Sequence, residues 1–200
     1  MSIVYYAKKA IHRIWRIVLY RHKVYGKVGK NNRYTTGTVI YEEAVIGSNN
    51  YFGPRCMLNN VKMGNFCSVA PDVKIGQADH DLTCISTYGR ICEGRGYKMS
   101  HAPTVIGDNV WIAANAVVKQ GIEIGEGSVI GAGAVVTKNI PPYSVAVGIP
   151  AKVVRTRFSE KQISNIKNKI SWNKNLQEVK RDVYALHNEW ENKNNEDTSY

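Results

Sequence analysis

Four cysteines, at positions 56, 67, 84 and 92, form no CxxC pair, which removes the simplest zinc and redox signature. No apolar run approaches the roughly 18 residues of a membrane-spanning helix, and no secretory signal pattern precedes the cysteines. Both absences favour reduced, buried thiols in a cytoplasmic protein. Acidic side chains are missing from Met1 to Tyr41, a stretch that holds nine Lys or Arg residues. With 44% hydrophobic and 22% charged residues, neither a collagen-like nor a wholly disordered chain is plausible. Two hundred residues suit one domain with extensions rather than two domains. The net charge of +11 favours an anionic partner: a phosphorylated cofactor, nucleic acid, an acidic glycan or a membrane surface.

The basic segment, residues 1–33, carries Ile3, Ala7, Ala10, Ile11, Ile14, Trp15, Val18 and Leu19 at helical spacing, with cations on the flanks. This predicts an amphipathic arm that either caps the main fold or lies on an anionic bilayer as a peripheral contact. At the other end, Ser159 with Gln162 forms a capping-box pattern. It opens a helical extension over 158–190, and residues 191–200 read as a frayed tail.

Between these ends the chain repeats every six residues. Ile106, Ile112, Val118, Ile124, Ile130 and Val136 are evenly spaced, and a small residue follows four of them (Gly107, Ala113, Gly125, Gly131). An earlier tract runs through Ile40, Ile46, Phe52 and Leu58, slips by one residue, and resumes at Met63, Val69 and Ile75. One inward aliphatic residue per hexad fits a short strand and a turn. Three hexads then close a triangular coil, and stacked coils satisfy one another's backbone hydrogen bonds. Counted from Tyr34, the hexads predict four to five coils. The class is mainly β, a parallel β-helix over 34–157 interrupted by a loop insertion at 80–104.

The stretches VIGDNVWIAANAVV and IGEGSVIGAGAVVTKNIPPYSVAVGIPAKVVRTRF, including Gly148 to Lys152, resemble the C-terminal coils of the hexapeptide-repeat acyltransferases. The branch that includes xenobiotic and polysaccharide O-acetyltransferases is most similar. The resemblance implies a left-handed coil, against the usual right-handed parallel crossover. It also implies a homotrimer with sites shared between adjacent prisms. The tryptophan-rich segment of the antibiotic-modifying members is reduced here to Ser171-Trp172-Asn173, which weakens a drug substrate.

An insertion of this length in a coil that otherwise needs only tight turns points to function. His80, in DHDLTCISTYG, matches the family's catalytic histidine. Acetyl transfer from a thioester to a hydroxyl needs a base near neutral pKa, and imidazole meets that demand. Asp79 or Asp81 would be its partner were it only a loop anchor. His101, where the insertion returns to the coils, is the rival base or a substrate contact, whereas His12, His22 and His187 read as surface or packing residues. A zinc enzyme of this fold needs several converging imidazoles, and His80 with His101 offers too few. No metal is expected.

The implied co-substrate is acetyl-CoA. The resemblance places Trp111 beside the thioester, Ala114 and Ala132 along the pantetheine arm, and Thr137, Lys138, Lys152 and Arg155 at the nucleotide end. Taken singly, each has a plainer reading as a surface cation or an edge residue. For the acceptor, Tyr88 and Arg90, with Arg95, Tyr97 and Lys98, offer aromatic and cationic groups suited to a sugar, and Asn59 and Asn60 could line the same cleft. The expected activity is O-acetylation of a saccharide hydroxyl during surface polysaccharide or lipopolysaccharide assembly. The alternatives are acetylation of an antibiotic hydroxyl and, from another class, a non-catalytic scaffold binding membrane or nucleic acid through the basic arm. A nucleic-acid partner is not expected, because the cations cluster at the chain's start rather than interleaving with aromatics.

Overall fold

The computed structural model describes residues 22–92 and 102–197, with side chains described to Glu191. The basic arm's apolar segment, His101, Arg95, Tyr97 and Lys98 lie outside the described residues. Three parallel sheets form the faces of a triangular prism. The first face carries β1 (Lys23–Val24), β4 (Val39–Ile40), β7 (Met57–Leu58), β10 (Lys74–Gln77), β13 (Val117–Lys119) and β16 (Val135–Val136). The second carries β2 (Lys27–Val28), β5 (Val45–Ile46), β8 (Val61–Met63), β11 (Thr104–Ile106) and β14 (Glu123–Ile124). The third carries β3 (Arg33–Tyr34), β6 (Tyr51–Phe52), β9 (Ser68–Val69), β12 (Trp111–Ile112), β15 (Val129–Ile130) and β17 (Ser144–Val147), to which β18 (Lys152–Thr156) adds antiparallel.

The register explains the six-residue period. On the first face Ile40 pairs with Leu58, Leu58 with Ile75, Ile75 with Val118, and Val118 with Val136. On the second, Ile46, Met63, Ile106 and Ile124 are aligned in the same way. On the third, Phe52, Val69, Ile112 and Ile130 align. All of these side chains are buried in one continuous core. Removing one, as in Ile75→Ala, would leave a cavity that neighbouring rungs cannot collapse into, at a cost of about 2–5 kcal/mol. The predicted slip falls at Asn59 and Asn60, where the chain passes from β7 to β8 one residue early. Both residues keep the ladder intact through backbone bonds, Asn59 N to Ile75 O and Thr104 N to Asn60 O, each 2.9 Å.

Six rungs on the first face replace the four to five coils expected. The extra coil comes from β1, β2 and β3, which except for Tyr34 fall in the segment 1–33 expected to form the arm. Their cations Lys23, Lys27 and Arg33 are exposed, as alternation on a strand allows, while Val24 and Tyr34 pack against the core.

The C-terminal extension is two helices rather than one. α1 (Gly89–Cys92) lies in the insertion, and α2 (Glu160–Lys169) and α3 (Leu176–Asp197) follow the coils. Ser159 caps α2 with the full reciprocal capping box to Gln162. The pair is held to the prism by a second apolar cluster of Tyr143, Ile166 and Leu186. Gly127, at φ +66°, makes room for it, since a Cβ there would lie 2.6 Å from the Tyr143 ring. Glu126 ties the same corner, accepting hydrogen bonds from the Tyr143 hydroxyl and, at 2.9 Å, from the Trp172 indole. Burial, then Glu126, raises the Tyr143 pKa.

Candidate active site

His80 leaves the prism directly after β10, at the edge between the first and second faces. It is exposed, and its Nδ1 lies 2.7 Å from the carbonyl oxygen of Thr87. A carbonyl only accepts, so Nδ1 is the donor of this hydrogen bond, and in a neutral ring the lone pair then falls on Nε2. Of the two acids weighed as partners, Asp79 lies 3.1 Å from Lys119 Nζ, and Asp81 accepts from the Thr83 backbone and hydroxyl at 2.9 and 2.7 Å.

The expectation of four reduced thiols is corrected. Cys84 and Cys92 form a disulfide in the insertion, because α1 turns the chain back and brings their Cα atoms to 6.5 Å, within disulfide range. The loop it closes contains Thr87. Cys56 and Cys67 are the free, buried thiols. Burial pushes Cys56 up to about 11 and Cys67 up to about 12, so neither offers a thiolate at neutral pH.

The remaining candidates sort onto two edges of the prism. Asn59 and Asn60 turn the chain at His80's own edge one rung earlier, and Lys119 ends a strand there one rung later. Thr137 and Lys138 follow β16, two rungs from His80 and about 10 Å along the axis at ~4.8 Å per rung. Tyr88 and Arg90 project from the insertion, both exposed. Ala114 and Ala132 occupy stacked turns at a different edge, between the third and first faces, where Gly133 N donates to Ala114 O at 2.8 Å. The Gly148–Lys152 segment passes over the same edge, with Ala151 N bonded to Val135 O at 2.8 Å. Lys152 and Arg155 are exposed on β18, and Trp111 on the third face is 51% exposed. Sequence reasoning missed the Thr87 carbonyl, the Asp79–Lys119 pair and Glu126. Only the eight-residue spacing of Cys84 and Cys92 inside the insertion hinted at a closed loop.

Small residues at one edge and exposed cations at its end suit a pantetheine arm and phosphates, and the described residues contain no cluster of metal-ligating side chains. A triangular parallel coil with a histidine at the root of its long insertion defines a hexapeptide-repeat protein. The family model "Bacterial transferase hexapeptide (six repeats)" matches residues 103–138. A chloramphenicol acetyltransferase of Klebsiella aerogenes is 31% identical over 158 residues, covering 70% of this chain and 75% of the relative. A maltose O-acetyltransferase structure from Clostridium difficile 630 covers 80% of this chain and 79% of its own, at 27% identity and a TM-score of 0.51. AntD, a Bacillus cereus N-acyltransferase solved with dTDP and coenzyme A, shares the fold at 19% identity and a TM-score of 0.64, covering 74% of this chain and 83% of its own. The chain belongs to the hexapeptide-repeat acetyltransferase family.

Proposed function

We propose that this protein transfers an acetyl group from acetyl-CoA to a saccharide hydroxyl, with His80 as general base, in surface polysaccharide or lipopolysaccharide assembly. The observation that carries the reading is the Thr87 carbonyl at His80 Nδ1, which supports Nε2 as the proton acceptor. Nε2 takes the acceptor's proton as its oxygen attacks the thioester carbonyl. The acetyl carbon exchanges its bond to sulfur for a bond to oxygen, and the proton then passes to the departing thiolate. Lys138, Lys152 and Arg155 would meet the nucleotide phosphates.

The two groups of candidates stand on different edges of one prism, which supports a homotrimer in which the edge bearing His80 faces the Ala114–Ala132 edge of a neighbour. Val45 and Val105, exposed on the outer side of the second face, and Trp111 on the third offer apolar surface for such packing. Tyr88 and Arg90 at the mouth suit a sugar ring bearing an anionic group.

The chloramphenicol acetyltransferase relative favours a second reading, acetylation of an antibiotic hydroxyl. Against it, Trp172 is committed to Glu126 and to the Phe66 ring at 5.9 Å, so it serves packing. Thiol release from acetyl-CoA across sugars, nucleotide sugars and antibiotics separates the two. Turnover with a saccharide class is expected. Turnover confined to chloramphenicol or macrolides would replace the saccharide reading, and thiol release with no acceptor in the panel would overturn both.

A further inference from the structure

β1, β2 and β3 are the outermost strands of their three sheets, so the first coil closes one end of the prism with no rung beyond it among the described residues. Ile46 is buried, but its register partner on this coil, Val28, is 39% exposed. Tyr25, in the turn between β1 and β2, is 58% exposed. The inward apolar column therefore meets solvent at this end.

Cations ring the opening. Lys23, Lys27 and Arg33 are exposed on β1, β2 and β3, one on each face, and Lys30 is exposed in the turn between β2 and β3. None of the four takes part in an ion pair among the described residues. The nearest acids in sequence, Glu42 and Glu43, belong to the second coil. The residues that lead into the first coil add five further Lys or Arg and no acid. Lysine on an edge strand deters pairing with other chains, but charge of either sign serves that purpose, so the exclusion of acids needs another cause.

We propose that the first coil docks end-on to an anionic lipid bilayer. Lys23, Lys27, Lys30 and Arg33 meet the phosphate-bearing headgroups, while Tyr25 and Val28 enter the boundary between headgroups and acyl chains. Apolar area ringed by cations is the combination that holds proteins reversibly at such surfaces. A single-stranded nucleic acid instead stacks its bases on successive aromatic rings. On this coil the His22 and Tyr34 rings stack on each other at 5.4 Å, which leaves Tyr25 as the one unstacked ring among the described residues. β10, which delivers His80, is three rungs from β1 and about 14 Å along the axis at ~4.8 Å per rung, so His80 stands clear of the bilayer. The docking surface thus holds whether or not the proposed reaction does.

The test is sedimentation of the full-length protein with phosphatidylglycerol–phosphatidylcholine vesicles, pure phosphatidylcholine serving as the neutral control. Binding to the anionic vesicles is expected to be tighter by about tenfold or more and to weaken as salt rises from about 0.1 to about 0.5 M. Changing Lys23, Lys27, Lys30 and Arg33 together to Gln should weaken it by about tenfold or more. The same loss of charge made on α2 and α3, with Lys161, Lys167, Lys180 and Arg181 changed to Gln, should alter it by less than about twofold. Thermal melting shows whether each variant is folded; should the first fail, the pair Lys27→Gln and Lys30→Gln carries the test, with a loss of about threefold or more. The proposal falls if the protein ignores anionic vesicles or binds neutral ones as well, if the folded first-coil variant binds like wild type, or if the helix variant loses as much. Binding of a single-stranded RNA oligonucleotide that the first-coil variant loses, without vesicle binding, would assign this surface to nucleic acid instead.

Discussion

His80 Nδ1 and the Thr87 carbonyl oxygen stand 2.7 Å apart across seven residues of the insertion. One backbone acceptor thereby fixes the direction of the imidazole, and in the proposed mechanism Nε2 is the atom that receives the proton. His80→Ala should lower kcat by about 10²–10⁴-fold while acetyl-CoA binding and the fold persist. Wild-type turnover in this variant would remove His80 from the mechanism, and activity lost only on changing His101 would move the base there.

The Cys84–Cys92 disulfide brackets Thr87, so it clasps the carbonyl that holds the histidine. Opening it in Cys84→Ser should cost about 10–100-fold in kcat through misorientation, with the KM for acetyl-CoA unchanged. Dithiothreitol should reproduce the loss in wild type and have no further effect on the variant. Equal kcat in reduced and oxidised wild type would show that the clasp does not position the base.

The fold was legible because a coil reuses the same inward position every six residues, and Ile106, Ile112, Ile124 and Ile130 all proved buried. The part of the first coil before Tyr34 reads as an arm, although Val28 keeps the six-residue spacing to Tyr34 and Ile40. Its inward side chains are only partly covered at the end of the prism, and the surrounding cations suggested an arm. His80 was legible from the break in the ladder. Thr87 was not, since its carbonyl acts and a backbone group leaves no mark in side-chain identity. The grouping of Asn59 and Asn60 with His80 on one edge depends on where the one-residue slip is absorbed, which spacing alone leaves open.

Glu126 accepts from two donors that would otherwise be orphaned beside the helical extension, the Tyr143 hydroxyl and the Trp172 indole. Glu126→Ala should destabilise the protein by about 1–3 kcal/mol for each donor stranded. Chemical denaturation would read this, and a double cycle with Tyr143→Phe should show coupling. Wild-type stability in Glu126→Ala would mean that water or rearrangement replaces the carboxylate.

Lys152 and Arg155 are exposed on β18, where cations can meet phosphates without desolvation. Their contacts would be equally present in ground and transition states. Replacing both with alanine should therefore raise the KM for acetyl-CoA by about tenfold with kcat nearly unchanged. Added salt should weaken wild-type binding in the same direction. An unchanged KM in the double variant would place the nucleotide elsewhere.

Cys56 and Cys67 make the stability of the fold fall as pH becomes alkaline. Burial raises their pKa values from 9.0 to about 11 and about 12, so the folded protein keeps both protons where the unfolded chain has begun to lose them. The stabilising contribution is fully present below the unfolded value near 9 and is lost as pH rises through the folded values. Tyr143, raised by burial, acts in the same direction at still higher pH. At pH 10 each thiol should have lost about 1 kcal/mol of its contribution, because only the unfolded state ionises freely there. Urea midpoints should fall between pH 8 and pH 10, and the fall should be shallower in a Cys56→Ala, Cys67→Ala variant. In the folded protein at pH 8, iodoacetamide should leave both residues unmodified, since the thiolate is the nucleophile. Rapid alkylation of either thiol in the native state, or a pH slope unaffected by removing them, would show that these sulfurs are not held protonated in the core.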